Sequence, residues 1–253
     1  MAQLNQNTEV SFQKNKNELS SWKVLIIIPA FNEGLNIQRT IQEILQLALP
    51  VEIIVINDGS KDDTAQKARE LGVAVVSLPY NLGIGGAVQT GYRYAKKNNF
   101  DIAIQVDGDA QHDVTYLKAL LRPIFNGEAD MTIGSRFIPP FTGYQSSFVR
   151  RIGIHFFANL ISLISKCRIT DPTSGFRAVN KHLINIFAEY YPDDFPEPEA
   201  IMVAARHRSR VLEVPVQMRK REYGNSSIRY LKTLYYMIKV TFAVVLDKLK
   251  KHA

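Results

Sequence analysis

A single cysteine, Cys167, occurs in the 253 residues. This excludes an internal disulfide and suits a reducing compartment. No run of about 18 clean apolar residues exists, so no membrane-spanning helix is expected. Residues 1–20 are rich in Asn, Gln and Lys and have no apolar centre. They do not read as a signal peptide, and residues 1–21 are expected to form a polar, flexible tail. Internal repeats and low-complexity linkers are lacking too. Acidic residues are the minority charge, 24 Asp+Glu against 31 Lys+Arg, for a net charge of +7. A surplus of that sign suits anionic partners: nucleic acid, anionic lipid or a phosphorylated substrate. Apolar residues are plentiful at 46%. They can fill a sizeable core, and the length fits one domain with embellishments.

The first third alternates regularly. Val24–Ile28 is an apolar, β-branched run closed by Pro29 and reads as a central strand covered on both faces. After the turn Ala30–Gly34, Ile37, Ile41, Ile44, Leu45 and Ala48 recur at helical spacing. Val51–Ile56 is a second strand, followed by the turn Asn57-Asp58-Gly59-Ser60. A helix through Leu71 then has Asp62 or Asp63 as its cap, and Val73–Leu78 is a third strand. A β-α-β-α-β order implies a parallel open sheet with ligands at the carboxyl ends of its strands. Next comes Asn81-Leu-Gly-Ile-Gly-Gly-Ala87 before a helix to about Lys97. Its Gly83 and Gly85 either cradle phosphate with backbone N–H groups or allow close helix–sheet packing. The spacing is a poor dinucleotide fingerprint.

Most of the chemistry points to Ile102–His112. The apolar run Ile102–Val106 reads as a buried strand ending in Asp107-Gly108-Asp109, with Gln111 and His112 following. Carboxylates at i and i+2 share a face on extended backbone, and Gly108 lets the chain bend round whatever they hold. Two neighbouring anions with oxygen-only ligands favour a hard cation, Mg²⁺ or Mn²⁺, shared with substrate phosphates. A solvated acidic turn is the plainer alternative.

Further on, Leu117, Leu120, Leu121 and Ile124 mark a helix, and Asp130–Gly134 a short strand with Ser135-Arg136 at its end. Arg136 is placed to neutralise a phosphate or to form an ion pair. Residues 148–164 form a long apolar stretch led by two arginines, a core helix or one lying on lipid. Asp171–Arg177 reads as a compact polar turn, and Asp193–Glu199 packs four carboxylates around two prolines before a helix from Ala200. Val211–Val216 is a last strand, and Arg219–Ser227 a basic, hydroxyl-rich loop suited to pyrophosphate. Residues 228–253 are expected to form a basic amphipathic helix that fits an anionic lipid surface better than a span.

Taken together, Ile28–Glu33, Val55–Ser60, Asp107–His112, Gly134–Arg136 and Asp171–Arg177 resemble the marks of family 2 glycosyltransferases of the GT-A fold. The resemblance extends over about residues 22–230. Within that family the chain is similar to the dolichyl- and polyprenyl-phosphate sugar synthases, whose Arg-x-Tyr-Gly-x-Ser loop matches Arg221–Ser226. Two features depart from that branch. Ser227 stands where those enzymes often have lysine, and Pro196–Glu199 is similar to a bacterial cell-wall and capsule branch. The resemblance implies an α/β fold: a Rossmann-like, mostly parallel open sheet with flanking helices, over residues 22–227, plus the C-terminal amphipathic helix. It implies that Pro29, Phe31, Glu33, Asp58, Gly83, Gly85, Asp107, Gly108 and Asp109 bind the nucleotide sugar. Asp107, Asp109 and Gln111 would surround a Mg²⁺ or Mn²⁺ ion. Arg136, Ser174, Arg177, Arg221 and Ser226 would meet donor or acceptor phosphates.

The expected reaction is inverting, metal-dependent transfer of a sugar from a nucleoside diphosphate, preferably UDP. Asp107, Asp109, Arg136 and one of Glu197 and Glu199 form the catalytic set. A polyprenyl-phosphate acceptor needs no base. A hydroxyl of a lipid-linked saccharide needs one, which Glu197 or Glu199 would supply, unless these acids only favour the helix N-terminus. A sugar nucleotidyltransferase and a non-catalytic nucleotide-binding subunit are the remaining alternatives. The expected place is the cytoplasmic face of the membrane, held peripherally on anionic lipid for cell-wall or surface polysaccharide synthesis. A small membrane subunit or a second copy is left open, and nucleic acid is not expected.

Overall fold

The computed structural model of the chain describes residues 21–139, 158–193 and 195–219. The N-terminal tail, Arg221, Ser226 and the C-terminal helix expected at 228–253 lie outside the described residues.

Seven strands form one sheet in the order β3-β2-β1-β4-β6-β5-β7. Their bounds are β1 Val24–Ala30, β2 Val51–Asn57, β3 Ala74–Ser77, β4 Ile102–Gln105, β5 Met131–Ser135, β6 Arg177–Asn180 and β7 Val211–Pro215. The helices are α1 Ile37–Gln46, α2 Thr64–Glu70, α3 Gly83–Lys97, α4 Leu117–Phe125, α5 Lys181–Glu189 and α6 Pro196–Arg206. Residues 158–165 are helical as well.

Strand β1 is buried along its whole length, and its alternating side chains supply two cores. Leu25 and Ile27 meet Ala87, Val88 and Tyr92 of α3 and Leu183 and Phe187 of α5. Val24, Ile26 and Ile28 meet Ile37, Ile41 and Ile44 of α1 and Leu117, Leu120 and Leu121 of α4. A period of two feeding opposite faces is the reason the run reads as continuously apolar. Gly91 lets α3 lie close on the sheet, since a Cβ there would come within 2.3 Å of Ile27.

The parallel part is as expected: β1 pairs with β2 and β4, and β2 with β3, all parallel. One strand departs. Residues 171–177, expected as a turn alone, lead into β6, which runs antiparallel to both β4 and β5. Arg177 stands opposite Gln105 and Ile133. The amino end of β6 therefore meets the edge formed by the carboxyl ends of β1, β2, β4, β5 and β7. Two smaller expectations also change. Asp107-Gly-Asp109 lies beyond β4 in a turn, with Ala110 at φ 59°, rather than on extended backbone. The helix expected from Ala200 begins at Pro196, because proline is compatible with a first helical turn.

Candidate active site at the carboxyl edge of the sheet

Register sets the site. Gln105 is level with Ile27 of β1, so Asp107 and Gly108 reach the height of Pro29 and Ala30. Gly108 is pressed there: a Cβ would stand 3.3 Å from the Pro29 carbonyl oxygen and 3.4 Å from the Ala30 Cβ. The loops after β1 and β2 are laced together beside it. Asn32 N–H donates to Ser60 Oγ at 2.9 Å, Lys61 N–H to Asn32 Oδ1 at 2.9 Å, and Glu33 N–H to Thr64 Oγ1 at 2.9 Å. Phe31 is left 46% exposed, an apolar ring at a polar rim. The Glu33 carboxylate accepts from Asn36 Nδ2 at 2.8 Å.

Asp58, expected to bind the nucleotide sugar, is buried and engaged by protein. Its two oxygens accept the Leu82 and Gly83 N–H groups at 2.7 and 3.0 Å. It thereby caps the start of α3, where anionic groups are favoured. The glycine-rich turn resolves toward packing. Gly83 (φ +82°) directs its N–H at Asp58 and at Asn81 Oδ1. A Cβ on Gly85 would collide with the Pro192 carbonyl oxygen at 2.3 Å. Gly83 is thus required for its positive φ and Gly85 for close backbone packing, beside Asp58 and Pro29 at the same edge.

Asp107 occupies the centre. Its side chain is 35% exposed. Gln105 Nε2 donates to Oδ1 at 3.1 Å, and His112 Nε2 lies 3.5 Å from Oδ2. Asp109 Oδ1 accepts the Gln111 N–H at 3.1 Å. Gln111 turns its Nε2 to the Arg219 carbonyl oxygen at 3.2 Å, while Arg219 N–H returns to the Gln111 carbonyl at 2.8 Å. The segment after β7 is therefore tied to this turn. Arg219 secures it further by gripping both oxygens of Glu43, at 2.7 and 2.6 Å.

Arg136 stands at the end of β5. Its Nε and Nη2 donate to the two oxygens of fully buried Asp171 at 2.6 and 2.7 Å, and Nη2 also reaches Thr173 Oγ1 at 2.9 Å. Burial opposes its charge, but Asp171, and with it Asp107, hold the guanidinium pKa above its usual value. Asp171 is itself fixed by its N–H to Glu213 Oε1 at 2.7 Å. Arg177, expected at a phosphate, is wholly buried. Its guanidinium donates to the Ser174 carbonyl and, at 2.9 Å, to the Glu197 carbonyl. It ties β6 to the start of α6 rather than facing the rim, because its strand neighbours Gln105 and Ile133 enclose it. Ser174 is buried too, and its Oγ accepts the Phe176 N–H at 3.3 Å.

Glu197 and Glu199 lie in the first turn of α6. Burial pushes the Glu197 carboxyl up, Arg177 counteracts this, and Asp107 adds to it. Asp107, Arg136, Arg177 and Glu197 thus form one electrostatic neighbourhood. Among the described residues no group of three or more His, Cys, Asp and Glu side chains could enclose a metal alone. The donor set still fits a hard divalent ion: Asp107 and Asp109 offer oxygen only, as Mg²⁺ shared with a diphosphate requires. Gln105, Asp171 and Gly175 were missed as contributors. Gln105 had a signal, a polar residue inside an apolar strand. The pairing of Asp171 with Arg136 spans 35 positions and had none.

The chain matches the model of "Glycosyl transferase family 2" over residues 25–186. It is 32% identical to the dolichol-phosphate mannosyltransferase of Pyrococcus furiosus, over 86% of this chain and 64% of that protein. It is 27% identical to the UDP-N-acetylglucosamine–dolichyl-phosphate N-acetylglucosaminyltransferase of Methanococcus voltae, over 88% of this chain and 98% of that protein. In fold it resembles glucosyl-3-phosphoglycerate synthase of Mycobacterium tuberculosis, solved with Mn²⁺, uridine diphosphate and phosphoglyceric acid. The TM-score is 0.70 at 21% identity, over 93% of this chain and 81% of that one. The sheet order, the acidic turn after β4 and this match agree on one assignment: the chain belongs to glycosyl transferase family 2.

Proposed function

We propose that the chain transfers a sugar from a nucleoside diphosphate donor, UDP by preference, to a polyprenyl phosphate, with inversion, from the cytoplasmic face of a membrane. The observation that carries this is the meeting of Pro29, Asp58 and the Asp107–Asp109 turn at one sheet edge. The polyprenyl- and dolichyl-phosphate specificity of the relatives supports the acceptor, and no described helix is long and apolar enough to cross a membrane. A loosely held, peripheral enzyme on anionic lipid is the corresponding arrangement, serving cell-wall or surface polysaccharide assembly.

Phe31 and Pro29 would flank the nucleoside, and Asp58 would hold the loop that shapes its pocket. Asp107 and Asp109 would hold Mg²⁺ or Mn²⁺, as Mn²⁺ accompanies uridine diphosphate in the structural relative. Such an ion, when bound, offsets the charge that develops on the departing diphosphate. Arg136, oriented by Asp171 and within electrostatic reach of Asp107, would present a fixed guanidinium there, its charge largely balanced by Asp171. A lipid phosphate is an anion already and attacks without a base. A second reading, transfer to a sugar hydroxyl, is favoured by Glu197: a carboxyl raised by burial suits general-base work.

The test is incubation with a panel of labelled nucleotide sugars and polyprenyl phosphate, followed by organic extraction. Label in the organic phase with UDP-sugars supports the proposal, and its absence for every donor refutes it. Glu197→Gln then separates the acceptors. Near-normal transfer points to a phosphate, and a loss of about 100-fold or more points to a hydroxyl.

A further inference from the structure

We infer that Gln105 and His112 are positioning residues that fix the Asp107 carboxylate for its divalent cation. The inference rests on the reading of Asp107 as a cation ligand proposed above. It concerns the two side chains on which that carboxylate leans.

One oxygen of Asp107 accepts a hydrogen bond, and the other faces the His112 ring at ion-pair distance. Oδ1 takes Nε2 of Gln105 at 3.1 Å, and Oδ2 faces Nε2 of His112 at 3.5 Å. The tautomer of His112 follows from its other nitrogen. Nδ1 accepts the backbone N–H of Asp107 itself at 3.1 Å, so the ring proton resides on Nε2, toward the carboxylate. The ring cannot swing away. It is 3% exposed, and it stacks on Phe176 with centroids 4.8 Å apart and planes 17° from parallel. The backbone of His112 also bridges to Met218.

Gln105 is held just as firmly, at a visible cost. Its Oε1 is buried and makes no hydrogen bond. Turning the amide over would give that oxygen no better place, because it would then confront Oδ1 of Asp107. The site tolerates an unsatisfied buried acceptor in order to keep a donor against the carboxylate. Behind both groups stands Gly175. A Cβ there would lie 2.9 Å from Asp107 Oδ2 and from Gln105 Nε2, so a bare backbone closes the third side. Asp107 is thus restrained on three sides while remaining 35% exposed on the fourth. This is how partners behind a metal ligand set its orientation and basicity.

The experiment measures Mn²⁺ affinity of the full chain with saturating UDP, by the loss of the free-ion electron paramagnetic resonance signal. UDP affinity in a chelator and thermal unfolding are measured in parallel. Gln105→Met removes the donor and the orphaned oxygen at similar volume. His112→Phe keeps the stack on Phe176 but removes both nitrogens, and His112→Gln restores a donor near the Nε2 position. Gln105→Met and His112→Phe should each weaken Mn²⁺ binding by about tenfold or more. UDP affinity in chelator should be unchanged, and His112→Gln should recover part of the loss. Should Asp107→Asn abolish Mn²⁺ binding while both test variants stay within about twofold of the parent, the inference fails and Asp107 stays a ligand. Should Asp107→Asn leave Mn²⁺ binding intact, the inference and the reading beneath it fall together. If His112→Phe unfolds, Gln105→Met alone decides.

Discussion

Changing Asp171 to Asn should destabilise the protein in a way that removing Arg136 as well partly repairs. Asp171 is inaccessible to solvent, and Arg136 is 20% exposed at its side chain. The carboxylate receives Nε at 2.6 Å, Nη2 at 2.7 Å and the Arg136 N–H at 3.2 Å. Asn keeps one acceptor oxygen, loses the charge and turns an NH₂ toward the guanidinium. Breaking a buried pair from one side costs about 3–5 kcal/mol. The partial exposure of Arg136 and the surviving oxygen reduce this to about 2–3 kcal/mol. At about 2–4 °C per kcal/mol for a domain of this size, Tm should fall by about 4–12 °C. Differential scanning calorimetry of Asp171→Asn, Arg136→Met and the Asp171→Asn/Arg136→Met double variant gives the comparison. The double variant should be more stable than the sum of one-sided losses predicts by about 1 kcal/mol or more, since no lone charge remains buried. A Tm for Asp171→Asn within about 1 °C of the parent would refute the reasoning. Strict additivity in the double variant would refute it equally.

Gly175→Ala should reduce transfer by about 100-fold through displacement of Asp107, because ångström-scale misplacement of a reacting group has that effect; unchanged kinetics would mean that the close approach seen at 2.9 Å relaxes freely. Asp58→Ala should lower stability by about 1–2 kcal/mol, the usual loss for an N-terminal cap, and urea unfolding with no shift in midpoint would contradict its bonds to Leu82 and Gly83. Burial works against the charge of Asp130, but Arg210 and Asn180 outweigh it and hold its pKa below the usual carboxylate value. Its stabilisation is therefore complete above the ordinary Asp range and is lost as pH falls through the lowered pKa. Melting temperature measured down the acid limb should decline less steeply in Asp130→Asn than in the parent.

The first half of the sheet was legible because β1, β4 and most of β2 are buried and so read as unbroken apolar runs, Val24–Ile28 above all. Helix α1 announced itself by Ile37, Ile41 and Ile44, which do face the sheet. The meeting of Pro29, Asp58 and Asp107 followed from topology, since parallel strands deliver their loops to one edge. What stayed hidden was long-range. Strand β6 has four residues and opens with a charged one. Its sequence carries no alternation, and the Ser174 and Glu197 carbonyls that receive the Arg177 guanidinium are what allow that residue to be buried. The roles of Gly83 and Gly85 depended likewise on distant groups, Asp58 and the Pro192–Asp193 backbone. Local pattern could narrow those glycines to two uses and could not choose between them.

In the hydrogen-bonded strand order the reversed strand β6 stands between β3-β2-β1-β4 and β5-β7. On one side lie β1 to β4 with Asp58 and Asp107, on the other β5 and β7 with Arg136, and the segment after β7 crosses back to Gln111 and Glu43. A perturbation on the β5–β7 flank therefore reaches the Asp107–Asp109 turn by two routes, the pairing of β6 with β4 and the contacts of Arg219 with Gln111.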